Sequence, residues 1–198
     1  MMSRHSPGAL SRMKAGRVGI AGVGGLGSNV AVMLARMGVG TLLLVDYDAV
    51  EPSNLNRQHY SLSHLSIPKA QALKAQIADI NPYVRVFTRD VRVTAENAVS
   101  VFSGYPIIVE AFDDPACKAD LVSSLLAEGS FKVIAASGMA GTGDANRIRS
   151  HRRLDNLYIC GDMESEAGDS VGLMAPRVAI CAGHQANLVV RLLMGLED

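Results

Sequence analysis

The sequence predicts an α/β fold, a Rossmann-like open and mostly parallel sheet with helices on both faces. Three observations predict it. Short apolar runs alternate with helix-period segments, a glycine cluster follows the first run, and the second run carries no polar alternation. Strands that lack alternation are those covered on both faces, as in a parallel sheet. With 198 residues there is material for one sizeable core, so residues 1–198 read as a single domain, the first 16 being flexible or a short helix.

Arg17–Ala21 is the first strand, and the glycine cluster after it leads into a helix over 28–37 that Gly38 and Gly40 stop. Thr41–Val45 is the second strand and ends at Asp46. The polar stretch 47–66 is long for a connection and reads as a binding loop. Lys69–Ile80 is an amphipathic helix ended by Asn81-Pro82, because the residue before proline is driven out of the α region. There follow a strand over 84–88, a helix over 95–102, a strand over 107–109, a helix over 116–126 and a strand over 131–135. Such a series joins parallel strands by right-handed crossovers, so the loops at their carboxyl ends share one edge, where function is to be sought. Residues 137–172 change to a glycine-rich, charged stretch before a last helix over 176–194.

Composition excludes several classes. Nineteen Lys and Arg balance nineteen Asp and Glu, which argues against a generally basic nucleic-acid binder, since phosphate affinity is mainly electrostatic. No apolar run is long enough to span a bilayer, and the basic N-terminus has no apolar core of a secretory leader, so a cytoplasmic, membrane-free protein is expected. Cys117, Cys160 and Cys181 form no C-x-x-C pair. Neither a disulfide framework nor a zinc site is expected.

The segment Gly22-Val-Gly24-Gly25-Leu-Gly27 lies between the first strand and its helix. The first glycine permits a tight turn, the second lets phosphate oxygens approach backbone amides, and the third lets helix pack on strand. Asp46 ends the next strand, 19 positions after Gly27, where a carboxylate accepts hydrogen bonds from ribose hydroxyls. This predicts a nucleotide site without identifying the nucleotide. The following loop, with Asp48, Glu51, Asn54, Arg57 and Gln58, concentrates amide and guanidinium groups suited to phosphate oxygens, and Lys69 adds a point charge.

Together, Gly-x-Gly-Gly-Leu-Gly, Val45-Asp-x-Asp-x-Val-Glu-x-Ser-Asn-Leu-x-Arg-Gln58 and Pro68-Lys69 resemble the ThiF/MoeB family of ubiquitin-activating-enzyme-like adenylyltransferases. The similarity continues through Ile80-Asn-Pro82, Glu110-Ala-Phe-Asp113-Asp114 and Gly172-Leu-Met-Ala-Pro176 to Gly195. It implies ATP and Mg as cofactors and the adenylylation of the C-terminal glycine carboxylate of a ThiS-like, ubiquitin-like sulfur carrier. It also implies that Gly24, Gly25 and Gly27 approach the nucleotide, Asp46 holds the ribose, Asn54, Arg57, Gln58 and Lys69 contact phosphates, and Asp113 holds Mg, with Arg57, Lys69 and Asp113 catalytic. Asp48 either joins them or braces the loop. Relatives are commonly homodimers. The strings Cys160-Gly-Asp and Gly172-Leu-Met-Ala-Pro-Arg-Val look most like the short subgroup of thiamine biosynthesis.

Asp114 stands where the family has Asn, and Lys118 where an Arg is frequent. Sixteen residues precede Arg17, which leaves little room for the family's N-terminal arginine helix; Arg12 or Arg4 is a candidate substitute. Cys160, read as lying in a polar loop, is the candidate sulfur-transfer thiol. The stretch 137–146, followed by Arg147, Arg149, Arg152 and Arg153, either closes over the nucleotide or presents basic groups to a carrier. Other readings stay open: a carrier of the molybdopterin or cysteine pathway, the carboxylate of a modified tRNA base, a nucleotide-binding or docking module without catalysis, and an NAD(P) oxidoreductase.

Overall fold

The computed structural model describes residues 5–168 and 170–196; Arg4 lies outside them. A short helix α1 (Ala9–Ala15) precedes β1 (Arg17–Ala21), α2 (Gly25–Met37), β2 (Thr41–Val45), α3 (Lys69–Ile80), β3 (Arg85–Arg89) and α4 (Ala98–Phe102). Then come β4 (Ile107–Glu110), α5 (Pro115–Glu128), β5 (Lys132–Ala136), β6 (Arg149–Leu154), β7 (Leu157–Gly161) and α6 (Ala175–Met194). The seven strands form one sheet in the order β3-β2-β1-β4-β5-β7-β6. All neighbours are parallel except β6, which runs antiparallel to β7 at the edge.

Alternate side chains of the strands fill two apolar layers. Ile20, Leu42, Leu44, Val109 and Ile134 pack with Val30 and Leu34 of α2, Leu73 and Ile77 of α3, and Val178 and Val189 of α6. Leu43, Val45, Ile108 and Val133 face the other way, onto Phe102 of α4 and Leu121 and Leu125 of α5. Each such fully buried side chain contributes about 1.5–3 kcal/mol relative to exposure. Strands β2 and β4 are buried at every position because both faces are covered. No helix among the described residues is long and apolar enough to cross a membrane.

Three boundaries differ from expectation for local reasons. Helix α2 begins at Gly25, so the end of the glycine cluster is its first turn. Helix α4 begins at Ala98, because the Asn97 side chain accepts from the Thr94 amide and donates to the Arg92 carbonyl, fixing a turn ahead of it. The largest difference is in 137–172, which contains the hairpin β6–β7. Cys160 is thus not in a polar loop; it lies in β7, fully buried and paired with Ala136 of β5.

Candidate nucleotide-binding site

The carboxyl ends of β1, β2, β4 and β5 open into a pocket of about 490 Å³, within the usual size of a cofactor site. Gly22, Gly24 and Gly25 form one wall, and Asp46, Asp48, Arg57, Gln58, Lys69 and Asp113 also line it. Residues from five separate stretches of the sequence therefore meet at one place.

The glycine cluster is shaped by contacts that no larger residue would permit. Gly22 has φ +84°, and a Cβ there would lie 2.8 Å from the Ala111 carbonyl oxygen. Gly27 is not at the pocket surface. A Cβ on it would stand 1.9 Å from the Gly22 oxygen, so its role here is the close packing of α2 on the turn. The N-terminal turn of α2 begins at the cluster, and its free amides and dipole suit an anion.

Asp46 is half-buried and tied down at both oxygens. Oδ2 accepts from the Val23 amide at 2.8 Å and Oδ1 from the Asp48 amide at 2.9 Å. Burial pushes its carboxyl up; the two amides and nearby Lys69 oppose that. The Lys69 Nζ lies 2.8 Å from Asp48 Oδ2, with the lysine side chain 8% exposed and the aspartate 50%. Asp48 is therefore a pocket residue that also restrains Lys69.

The loop after β2 is braced from inside. The Asn54 side-chain oxygen accepts from the Glu51 amide at 3.0 Å. Asn54, expected at the phosphates, is buried, does not line the pocket and braces the loop. Arg57 Nη1 donates to the Asn56 side chain at 2.8 Å and the Ser53 carbonyl at 3.2 Å. Its Nε and the Gln58 Oε1 are buried without a hydrogen-bond partner among the described residues. Buried polar groups normally have partners, so both are left to pair with a water or a polar ligand.

Several residues that shape the site were not among the expected site residues. Tyr60 Oη donates to the carbonyls of Val23 (2.8 Å) and Lys69 (3.2 Å). Ser28 Oγ donates to the Gly24 carbonyl and accepts from the His59 amide, while Asn29 donates to the carbonyls of Gly25 and Arg57. These bonds join the glycine turn to the arginine loop. Glu110, at the end of β4, is fully buried; its carboxylate meets Lys118 Nζ at 2.5 Å and the Phe112 amide at 2.8 Å. Burial raises its pKa, against the attraction of Lys118. Lys118 also donates to the Ala136 carbonyl at 3.0 Å and lines the pocket.

Asp113 is exposed on the pocket wall, with no hydrogen bond or ion pair among the described residues. Asp114 instead caps α5, accepting from the Cys117 amide at 2.7 Å, which lowers its pKa. No group of three or more potential metal-ligating side chains exists among the described residues. Magnesium commonly takes one or two carboxylates and completes its shell with substrate phosphates and water, so the lone Asp113 fits an ion that arrives with a nucleotide.

Two expected participants are elsewhere. Burial pushes the Cys160 thiol up to about 12, and it lines no part of the pocket; a thiol so far from its thiolate is a poor nucleophile. Arg12 donates to the Met194 carbonyl at 2.7 Å, at the end of α6.

Residues 1–198 match the ThiF family. The chain is 31% identical over 194 residues to the adenylyltransferase and sulfurtransferase UBA4 of Candida glabrata, covering 94% of this chain and 44% of that protein. It is 38% identical over 142 residues to tRNA threonylcarbamoyladenosine dehydratase of Bacillus subtilis, covering 71% and 56%. It thus spans about half the length of the curated relatives it matches. Its fold is similar to that of E. coli tRNA N6-threonylcarbamoyladenosine dehydratase in complex with ATP, with a TM-score of 0.88 over 98% of this chain and 92% of the other at 22% identity.

Proposed function

Because the chain belongs to the ThiF family, we propose that it binds ATP and transfers the adenylyl group to a carboxylate, releasing pyrophosphate. The carboxylate oxygen bonds to the α-phosphorus as the bond from that phosphorus to the β-phosphate bridge breaks, and the electron pair leaves with pyrophosphate. No protein nucleophile takes part. The observation that carries the reading is the convergence of Asp46, tied to the glycine turn, with Arg57, Gln58 and Lys69 in one pocket.

In this proposal the amides at Gly24 and Gly25 hold phosphate oxygens, the Gly22 amide being bonded to the Val45 carbonyl at 2.8 Å, and Asp46 uses its remaining lone pairs for ribose hydroxyls. Arg57 and Lys69 offset charge on the phosphates, with Gln58 donating through its amide nitrogen, which lies beside Gly24. Asp113 would hold Mg, which when bound offsets charge on the phosphates. The protein's contribution is alignment and charge compensation. We read residues 1–198 as one adenylylation domain, working as a homodimer in the cytoplasm.

For the substrate, the relatives favour the carboxylate of a modified tRNA base over the ThiS-like carrier of thiamine synthesis. The similarity to the tRNA threonylcarbamoyladenosine dehydratase is higher in identity, at 38%, than that to UBA4. The carboxylate of threonylcarbamoyladenosine is the matching group. A sulfur-carrier glycine is the second reading, supported by the greater extent of the UBA4 similarity, 94% of this chain.

Calorimetric titration of the full chain with ATP and Mg, beside a titration with NAD, tests the nucleotide. Saturable binding of ATP alone is expected. Preference for NAD would reject the proposal in favour of a redox role.

A further inference from the structure

A buried ion pair lies beyond the machinery described above. Asp162 follows β7, Arg177 sits in the first turn of α6, and their side chains are only 5% and 6% exposed. Arg177 Nη2 meets Asp162 Oδ2, while Nη1 donates to the carbonyls of Gly143 (2.7 Å) and Asp144 (2.9 Å). Asp162 Oδ1 accepts from the amides of Glu164 (3.0 Å) and Ser165 (2.8 Å) and from the Ser165 hydroxyl (3.0 Å). One guanidinium therefore ties α6 to both the segment after β5 and the segment after β7.

Those two segments form a pocket wall. Ser137, Gly138, Met139 and Ala140 come from the first, and Ser165, Glu166 and Ala167 from the second. They are stitched together: the Asp162 amide donates to Gly138, the Ala140 amide to Ser165 Oγ at 3.1 Å, and the Gly141 amide to Gly172 at 2.8 Å. At the crossing, a Cβ on Gly161 would lie 1.6 Å from the Ser137 oxygen, so the strand exits touch. Behind the wall is a second cavity of about 270 Å³, which shares Ala140 and Ser165 with the nucleotide pocket and is lined by Asp162 and Arg177. Ala140 and Ser165 thus border both cavities.

The wall's place assigns its task. In the sheet β5 is three strand positions from β2, about 14 Å at ordinary strand spacing. The wall therefore closes the end of the pocket remote from Asp46, the end left for the acyl substrate when the ribose lies at Asp46. A buried ion pair is a weak stabilising device, because desolvating both charges offsets their attraction; fixing one arrangement is its better-attested use.

We propose that Asp162 and Arg177 are positioning residues that hold this wall closed, so that the acyl substrate meets the α-phosphate in line. The proposal rests on the adenylylation reading. Although burial acts to raise the Asp162 pKa, hydrogen bonds from Ser165, Glu164 and Arg177 outweigh it and hold the carboxyl at about 2, so the pair stays charged at neutral pH.

The test compares Arg177→Met, Asp162→Asn and Arg177→Lys with the wild-type full chain in three measurements: cleavage at Glu164 and Glu166 by a glutamate-specific protease, ATP affinity, and pyrophosphate exchange at varied carboxylate substrate. For Arg177→Met and Asp162→Asn, cleavage should accelerate and kcat/KM for the carboxylate should fall about tenfold or more. ATP affinity should stay within about threefold, as expected when only acyl alignment is lost. Arg177→Lys should recover part of the loss.

Equal cleavage and equal kcat/KM in all variants would overturn the proposal. So would parallel losses of ATP affinity, kcat/KM and melting temperature, which mark a purely structural role. If the wild type itself catalyses no exchange, the adenylylation reading fails, and with it the catalytic task of the pair. The protease result then still decides whether the pair holds the wall.

Discussion

The carboxylate of Asp46 accepts the Val23 amide at 2.8 Å, so the acid that ends β2 holds in place the glycine turn that follows β1. The same group is the proposed ribose acceptor. Asp46→Ala should remove both effects. Hydrogen bonds to charged groups are worth about 1.5–3 kcal/mol, so ATP affinity should fall roughly ten- to hundredfold in calorimetric titration, with the folded state also weakened.

Gly27→Ala tests the turn without touching a charge. Its Cβ would lie 1.9 Å from the Gly22 oxygen, a backbone atom that has no free rotation to escape. The expected destabilisation is about 3 kcal/mol or more, whereas substitutions away from such contacts stay within about 0.5 kcal/mol. Gly168→Ala, with nothing within 4 Å of the added carbon, is the control. Denaturant midpoints at constant slope read both.

Thiol reactivity should separate the cysteines. Burial pushes Cys160 up to about 12 and Cys181 well above the ordinary thiol value. Iodoacetamide on the native protein, read by mass spectrometry, should modify half-buried Cys117 and spare the other two until the chain is unfolded. Cys160→Ala should leave adenylylation unchanged. Rapid native alkylation of Cys160 would reopen a role for it in sulfur transfer.

The Asp162 carboxyl is held at about 2, below its unfolded value of about 3.9. A group with a depressed folded pKa gives stability that is present above the unfolded pKa and lost as pH falls through the folded one. Wild type should therefore lose more stability than Asp162→Asn between about pH 4 and pH 2. Melting temperatures across that range read the difference.

Much of this was legible in the residues. The strands Thr41–Val45 and Ile107–Glu110 are buried at every position and largely apolar because two layers cover them, and Lys69–Ile80 is bounded by Pro68 and Asn81-Pro82. The glycine turn, Asp46, Arg57, Lys69 and Asp113 were found as pocket residues from spacing and family resemblance. The β6–β7 hairpin was not. Arg149–Leu154 is an edge strand with charges on both faces, and such strands carry no apolar period. That concealed the burial of Cys160 beside it. Asp162 and Arg177 appear in the sequence only within family-like strings, and the folded chain alone reveals that both are enclosed. Asn54 shows the opposite limit: it belongs to the motif, yet in the fold it braces the loop and does not line the pocket.

The most direct measurement is incorporation of labelled pyrophosphate into ATP by the full chain with Mg, in the presence of tRNA carrying threonylcarbamoyladenosine and, separately, of ubiquitin-like sulfur carriers. Exchange that requires one of these carboxylates, strongest with the modified tRNA, and that is lost in Asp113→Ala, is the predicted result. ATP binding with no exchange for any of them would contradict adenylylation and leave a nucleotide-binding module.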